Sequence, residues 1–410
     1  MTSEKKIGLQ EYYLFIVVFY IWILRDMLER FIPSIKYLDE LYALLAVAVF
    51  MIELRKNRGR IKLQKYSLTM WLGLFCISGI IASLVYQYQS VVNVMFPDLF
   101  LNIKFWLAIY VSSILFKSID IETYGKRIGK HIKVVIYMWL IMIAVDMFFL
   151  ELFPGEIRYG FKCMQLFYGH PAAFCAVCAF LLALLCIVKK KVKNAKVYMV
   201  ILCLLMVSTM RSKAFGSVIL FLIMYYIIIG FNKKINVRTL VVIGLGCMVM
   251  AWSRIQYFFL GAEYARRVLL RTSLVIAKEH FPLGAGFGTF ASYYSGLVYS
   301  PLYYQYGVDK IHGLGREQGS FISDSFWPML LAQTGFLGTF FYGMALFLLF
   351  RWMQKIKIID RDKYFAALYI LGYLLISSVA EAAFVHPIAI PCAMVIGICL
   401  SNSNNSSELG

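Results

Sequence analysis

Apolar residues in this chain come in long, nearly unbroken runs separated by short polar stretches. The strict alternation of a half-buried strand is missing from them. A helix that crosses a bilayer needs about 20 mostly apolar residues, and in lipid only helices or a closed barrel satisfy the backbone. Runs this long and this apolar predict helices. Twelve spans are predicted, centred on residues 12–24, 38–54, 67–86, 99–116, 134–150, 169–188, 197–210, 214–230, 240–252, 326–350, 364–380 and 387–400. The first run reads as a span rather than a cleaved leader, because no small-residue cleavage site follows it. The expected fold is all-α: a polytopic membrane protein of about 12 transmembrane helices, with one long loop between helices 9 and 10. The chain then divides into helices 1–9 over residues 1–256, the loop over 257–325, helices 10–12 over 326–400 and a polar tail over 401–410.

Composition agrees. Of 410 residues, 61% are hydrophobic and 15% charged, and the mean hydropathy is +0.74; a soluble domain carries about 25% charged residues. The net charge of +19 would suit a nucleic-acid binder, but its placement argues against one. Lys and Arg gather in blocks at 55–65, 117–133, 189–196, 233–238 and 351–363, at every second loop. That is the positive-inside pattern, which puts those loops and both termini in the cytoplasm. Anionic lipid headgroups, not nucleic acid, are the expected neighbours of this charge. The nine cysteines form no framework: Cys175 and Cys178 have CxxC spacing but lie inside a span with no second pair, and packing explains them.

By alternation the outer segments are 25–36, 87–98, 151–168, a tight turn near Arg211, the long loop, and a turn at 381–386. The loop opens on residues 264–280, where Val268, Leu269, Leu274 and Ala277 predict an amphipathic helix lying along the membrane surface. Aromatics crowd its next part: Phe287, Phe290, Tyr293, Tyr294, Tyr299, Tyr303, Tyr304 and Tyr306. They suit an interfacial belt or a surface on which sugar rings stack.

Several polar residues stand where chemistry is expected. Arg211 lies between two apolar runs, an expensive position that marks function; Lys213 reads as interfacial. Arg267 and Arg271 are i and i+4 on the loop helix, beside Arg266. The planar guanidinium grips phosphate oxygens in a bidentate way, so these arginines suit a pyrophosphate. Gly284, Gly286 and Gly288 form a turn through which backbone can approach a ligand. No buried strand precedes them, so the turn is not a dinucleotide loop. Ser325 is placed to cap the helix that follows, and Asp324 to act as a base. Gly335 and Gly338 suit close helix packing. Glu381 and His386, near another outer helix end, are further binding candidates.

Together these features resemble the O-antigen polymerase and ligase family. The layout is similar throughout: about a dozen spans and one long external loop near the C-terminal third. Three local segments carry the likeness. Ser208-Thr209-Met210-Arg211-Ser212 looks like the family's Thr/Ser-Arg-small segment at the end of a mid-chain span. Arg267, followed by Phe281-Pro282-Leu283-Gly284-Ala285-Gly286-Phe287-Gly288-Thr289-Phe290, looks like the family's arginine helix and glycine turn. Asp324-Ser325, nine residues and Gly335-Phe336-Leu337-Gly338 complete the pattern. Ligases carry histidine where this chain has Asp324, a departure that favours a Wzy-type polymerase.

The resemblance implies a GT-C-like glycosyltransferase in the bacterial plasma membrane, with its catalytic loop outside. It would move a growing oligosaccharide from polyprenyl pyrophosphate to a sugar hydroxyl of a lipid-linked repeat unit, without cofactor or metal. Asp324, Arg211 and Arg271 would be catalytic. Arg266, Arg267, Gly284, Gly286, Gly288, Tyr293, Glu381 and His386 would bind pyrophosphate or glycan. Expected partners are the lipid-linked oligosaccharide, membrane lipids and a chain-length regulator. The alternatives are a ligase acting on a lipid or protein acceptor, and a transporter of the lipid-linked oligosaccharide. Transporters usually place paired charges in broken helices at mid-membrane.

Overall fold

The structure, a computed structural model, describes residues 3–56, 66–150, 152–158, 160–236, 238–239, 246, 264–319 and 321–401. The described residues are mostly helical: α1 Ser3–Phe31, α2 Leu38–Lys56, α3 Tyr66–Tyr86, α4 Phe96–Leu115, α5 Ile121–Val145, α6 Pro171–Val188, α7 Ala195–Val207, α8 Ser212–Met224, α9 Ala265–Glu279, α10 Tyr293–Leu297, α11 Pro301–Gln305, α12 Phe326–Ile359, α13 Arg361–Ser378 and α14 Ala389–Ser401. A two-stranded ribbon pairs β1 (Ile157–Arg158) with β2 (Phe161–Lys162), antiparallel. Apart from residue 246, the expected ninth span, 240–252, and the tail beyond residue 401 lie outside the described residues.

Seven of the described helical segments are long and apolar enough to cross a membrane: Ile7–Phe31, Ser67–Tyr86, Val91–Leu115, Ile121–Phe148, Pro171–Lys191, Ser212–Gly230 and Phe326–Ile359. The helices α2, α7, α13 and α14, of 13 to 19 residues, coincide with expected spans but are not among these seven. At the centre runs α6, where 17 of 18 residues are buried. All of α14 and most of α13 are buried as well. The outer helices bury one face and turn apolar residues outward at helical spacing, as Ile77, Ile81 and Leu84 do on α3 and Val197, Val200 and Leu204 on α7. An apolar exterior of this kind suits contact with lipid.

The two ends of the bundle differ. At the basic end, Lys189 and Lys190 reach Asp362 at 2.9 and 3.4 Å, and Lys191 pairs with Glu122. Residues 121–133, expected as part of a basic loop, are helical here. Asp120 caps α5 by accepting from the Glu122 and Thr123 amides at 3.1 and 3.0 Å. Tyr124, Ile128 and Ile132 then bury one face of the new turns while Lys126, Arg127 and Lys130 stay exposed. Charge in a helix was mistaken for charge in a loop.

The other end carries α9 to α11, and two expectations change there. The helix α9 forms as expected but does not lie free along a surface. It packs against α12, burying Leu269, Thr272, Ser273, Ile276 and Ala277. Gly335 is not a helix–helix contact; it breaks α12, with φ 62° and ψ −166°. The glycine turn fills that break. The Ala285 and Gly286 amides donate to the Ala332 and Gln333 carbonyls at 2.9 and 2.8 Å, and the Leu337 amide donates to Pro282 at 3.2 Å. Backbone groups freed by the break are thereby satisfied at a depth where orphans cost several kcal/mol each, roughly.

Candidate functional site

The end that carries α9 also gathers the charged side chains of five chain segments. The hairpin between α7 and α8 supplies two of them. Met210 adopts φ 51° and Arg211 is extended, so the chain reverses within a few residues and starts α8 at Ser212. This sets Arg211 against the ribbon and the start of α6, where its Nη2 lies 3.2 Å from Glu156 Oε1 and 3.2 Å from His170 Nε2. Its Nε is buried and has no hydrogen-bond partner. Burial and nearby Arg158 lower the pKa of Arg211 against the opposing pull of Glu156. Burial raises Glu156, but Arg211 and Arg158 outweigh it and hold the carboxyl below its ordinary range.

Lys213, read from sequence as interfacial, is enclosed by protein and paired. Its side chain is 9% exposed and meets Glu381 at 2.7 Å. Glu381 sits at the hub of the group: its charge acts on Lys213, His386, His170 and Asp324. Glu381 is partly exposed and His386 exposed, while the surrounding protein still acts on the charge of both. Burial raises the Glu381 carboxyl, and Lys213 overcomes this and holds it low. Burial drives His386 down to about 4 against the pull of Glu381, so the ring is neutral at pH 7.

The third pair is Arg266 with Asp324, Nη2 to Oδ2 at 3.1 Å. Burial, opposed by Arg266 and reinforced by Glu381, raises the Asp324 carboxyl above its ordinary value. Arg266 comes three residues before Leu269 and seven before Ser273, which puts it on the α9 face that meets α12. Arg267 and Arg271 share the opposite face, as their spacing required. Arg271 is exposed, and Arg266 rather than Arg271 is the arginine bonded to Asp324. Ser325 occupies the cap position of α12, but its hydroxyl makes no cap bond.

The glycine turn serves the protein rather than an open surface. Gly284, Gly286 and Gly288 are buried, with φ of 76°, 98° and 72°. A Cβ on Gly284 would stand 2.4 Å from the Gly335 nitrogen, and one on Gly286 2.5 Å from Ser83 Oγ. The Gly288 amide donates to Asp98 Oδ2 at 2.9 Å. The close approach that glycine permits is made by helices α3, α4 and α12. Of the loop aromatics, Phe287, Phe290, Tyr299 and Tyr303 form its interior. The Tyr303 hydroxyl accepts from the Ala291 amide at 2.9 Å. Tyr293 and Tyr304 face outward, at 60% and 53% exposed.

Glu156 and His170 were not singled out from sequence. His170 had a local signal, since it stands directly before Pro171 at the start of an apolar run, and its Nδ1 caps α6 by accepting from the Ala172 amide at 3.2 Å. Glu156 had none: it is brought in by the ribbon, four residues of strand around Gly160. The buried pair of Lys104 on α4 and Asp39 on α2, each 1% exposed, was also missed.

The chain matches no family model and no curated protein.

Proposed function

We propose that this protein is a glycan polymerase of the membrane, with its site at the outer face. It joins a growing oligosaccharide, held on polyprenyl diphosphate, to a hydroxyl of a lipid-linked repeat unit. The observation that supports this best is the convergence of Arg211, Lys213 and Arg266 with Glu156, Glu381 and Asp324 at one end of an otherwise apolar bundle.

The reaction asks for two things. The acceptor oxygen bonds to the anomeric carbon as the bond from that carbon to the diphosphate oxygen breaks, and the acceptor proton must leave. Asp324 takes that proton; its raised basicity makes it a better base than an ordinary aspartate. The departing diphosphate gains charge, and Arg211 and Lys213 stabilise it, each fixed donor contributing about 3 kcal/mol. Arg267 and Arg271, on the outer face of α9, reach lipid-borne phosphate rather than this cluster.

Deleting the gene tests the reading. Loss of a polymerase leaves single repeat units on the finished acceptor. Loss of a ligase leaves long polymer on the carrier lipid, and loss of a transporter leaves unextended carrier on the inner face.

A further inference from the structure

The contact between Arg211 and His170 poses a problem of hydrogen counting. A neutral imidazole has one lone pair to offer and one N–H. At His170 the lone pair belongs to Nδ1, which accepts from the Ala172 amide and caps α6. The proton is therefore on Nε2, and Nε2 faces Arg211 Nη2 at 3.2 Å. Two donors point at one another. Arg211 also holds a buried Nε without an acceptor. Among the described residues, the acceptor at this corner is Glu156 Oε1, at 3.2 Å, from a carboxylate whose side chain is 52% exposed and which also binds Arg158 at 2.8 Å. A half-exposed carboxylate shared between two arginines is easily replaced, because such pairs contribute about 1 kcal/mol or less.

We propose that His170 is a diphosphate-binding residue: its Nε2–H and the Arg211 guanidinium share one anionic oxygen of a diphosphate, and Glu156 is the internal stand-in that this oxygen displaces. The proposal rests on the reading of the site as one for a diphosphate leaving group, and adds to it the ligand set and the exchange. A bound oxygen turns the opposed donors into a fork, gives Arg211 Nε an acceptor, and leaves the cap of α6 intact. Lys213, which acts electrostatically on His170 from the next turn of chain, holds the rest of the charge in place.

The test uses purified full-length protein in nanodiscs, titrated with inorganic pyrophosphate and, separately, with farnesyl diphosphate. His170→Asn and His170→Ser keep a good helix cap but remove the Nε2 donor. Both are expected to bind each probe about tenfold more weakly, the worth of one charge-assisted hydrogen bond, with an unchanged melting temperature. Glu156→Gln is expected to bind about two- to fivefold more tightly. Arg211→Ala reports on the underlying reading. If it abolishes binding while the His170 variants bind like wild type, the role of His170 is overturned and the diphosphate reading stands. Weaker binding by Glu156→Gln overturns the exchange. If wild-type protein binds neither probe, both fall. Binding of farnesyl diphosphate alone assigns the site to a lipid carrier; equal binding of both assigns it to the diphosphate group itself.

Discussion

Lys213 and Glu381 lie 168 residues apart in the chain and 2.7 Å apart in space. The pair ties the α7–α8 hairpin to the turn between α13 and α14, and sets the charge balance of the cluster. Lys213→Ala leaves Glu381 without its counter-charge, and is expected to cost about 1–3 kcal/mol. Glu381→Gln costs less, because the amide still accepts a hydrogen bond. A double-mutant cycle on thermal unfolding in detergent checks the pairing: the double variant should lose less than the sum of the two.

Acid should weaken the same contact. The folded state holds Glu381 below the ordinary glutamate value of 4.5. A depressed carboxyl contributes stability that is complete above its unfolded value and is lost as pH falls through the folded one. Melting temperature should therefore drop as pH falls below about 4.5, and the drop should be smaller in Glu381→Gln.

Asp324→Asn removes the proposed base while keeping the shape of the side chain. Polymer formation should fall by about 10²- to 10⁴-fold, with protein level unchanged. In wild type the rate should rise with pH as Asp324 loses its proton, over a range displaced upward from 3.8 by burial. A flat profile in the asparagine variant, measured over the same range, identifies the group.

The break in α12 is expected to tolerate no side chain. At Gly335 a Cβ would meet the Pro282 oxygen at 2.3 Å and the backbone is already left-handed. Gly335→Ala and Gly284→Ala should each destabilise by more than about 2 kcal/mol, read as reduced melting temperature and easier proteolysis of the loop. Gly307→Ala, with φ 66° but open space around it, should cost only about 1 kcal/mol.

Lys104 and Asp39 are both fully enclosed. Lys104→Met alone should destabilise by about 3–5 kcal/mol, because Asp39 is left charged and buried. Adding Asp39→Leu should recover much of the loss, a result seen by comparing melting temperatures of the single and double variants.

The helices were legible because a membrane helix needs a long apolar run and little else. The start of α5 was not, because Lys126, Arg127 and Lys130 on the exposed side masked the buried face of Tyr124, Ile128 and Ile132. Arg211, Asp324, Glu381 and His386 were legible as polar groups at helix ends. Which of them meet was not, since pairing Lys213 with Glu381 depends on how α8 packs against α13. The glycine turn was legible as a place of close backbone approach; its contact with the broken backbone at Gly335 was not, because it depends on how the loop packs on α12. Glu156 carries no local pattern at all and enters only through the ribbon around Gly160.

The central claim is bond formation at this site, and it is tested most directly in vitro. Purified protein in nanodiscs is given a lipid-linked repeat unit, and the products are resolved on a gel. The account predicts a ladder of growing lipid-linked glycans that disappears in Arg211→Ala and in Asp324→Asn. Unextended substrate with wild-type protein, under conditions where the substrate is intact and bound, would contradict it.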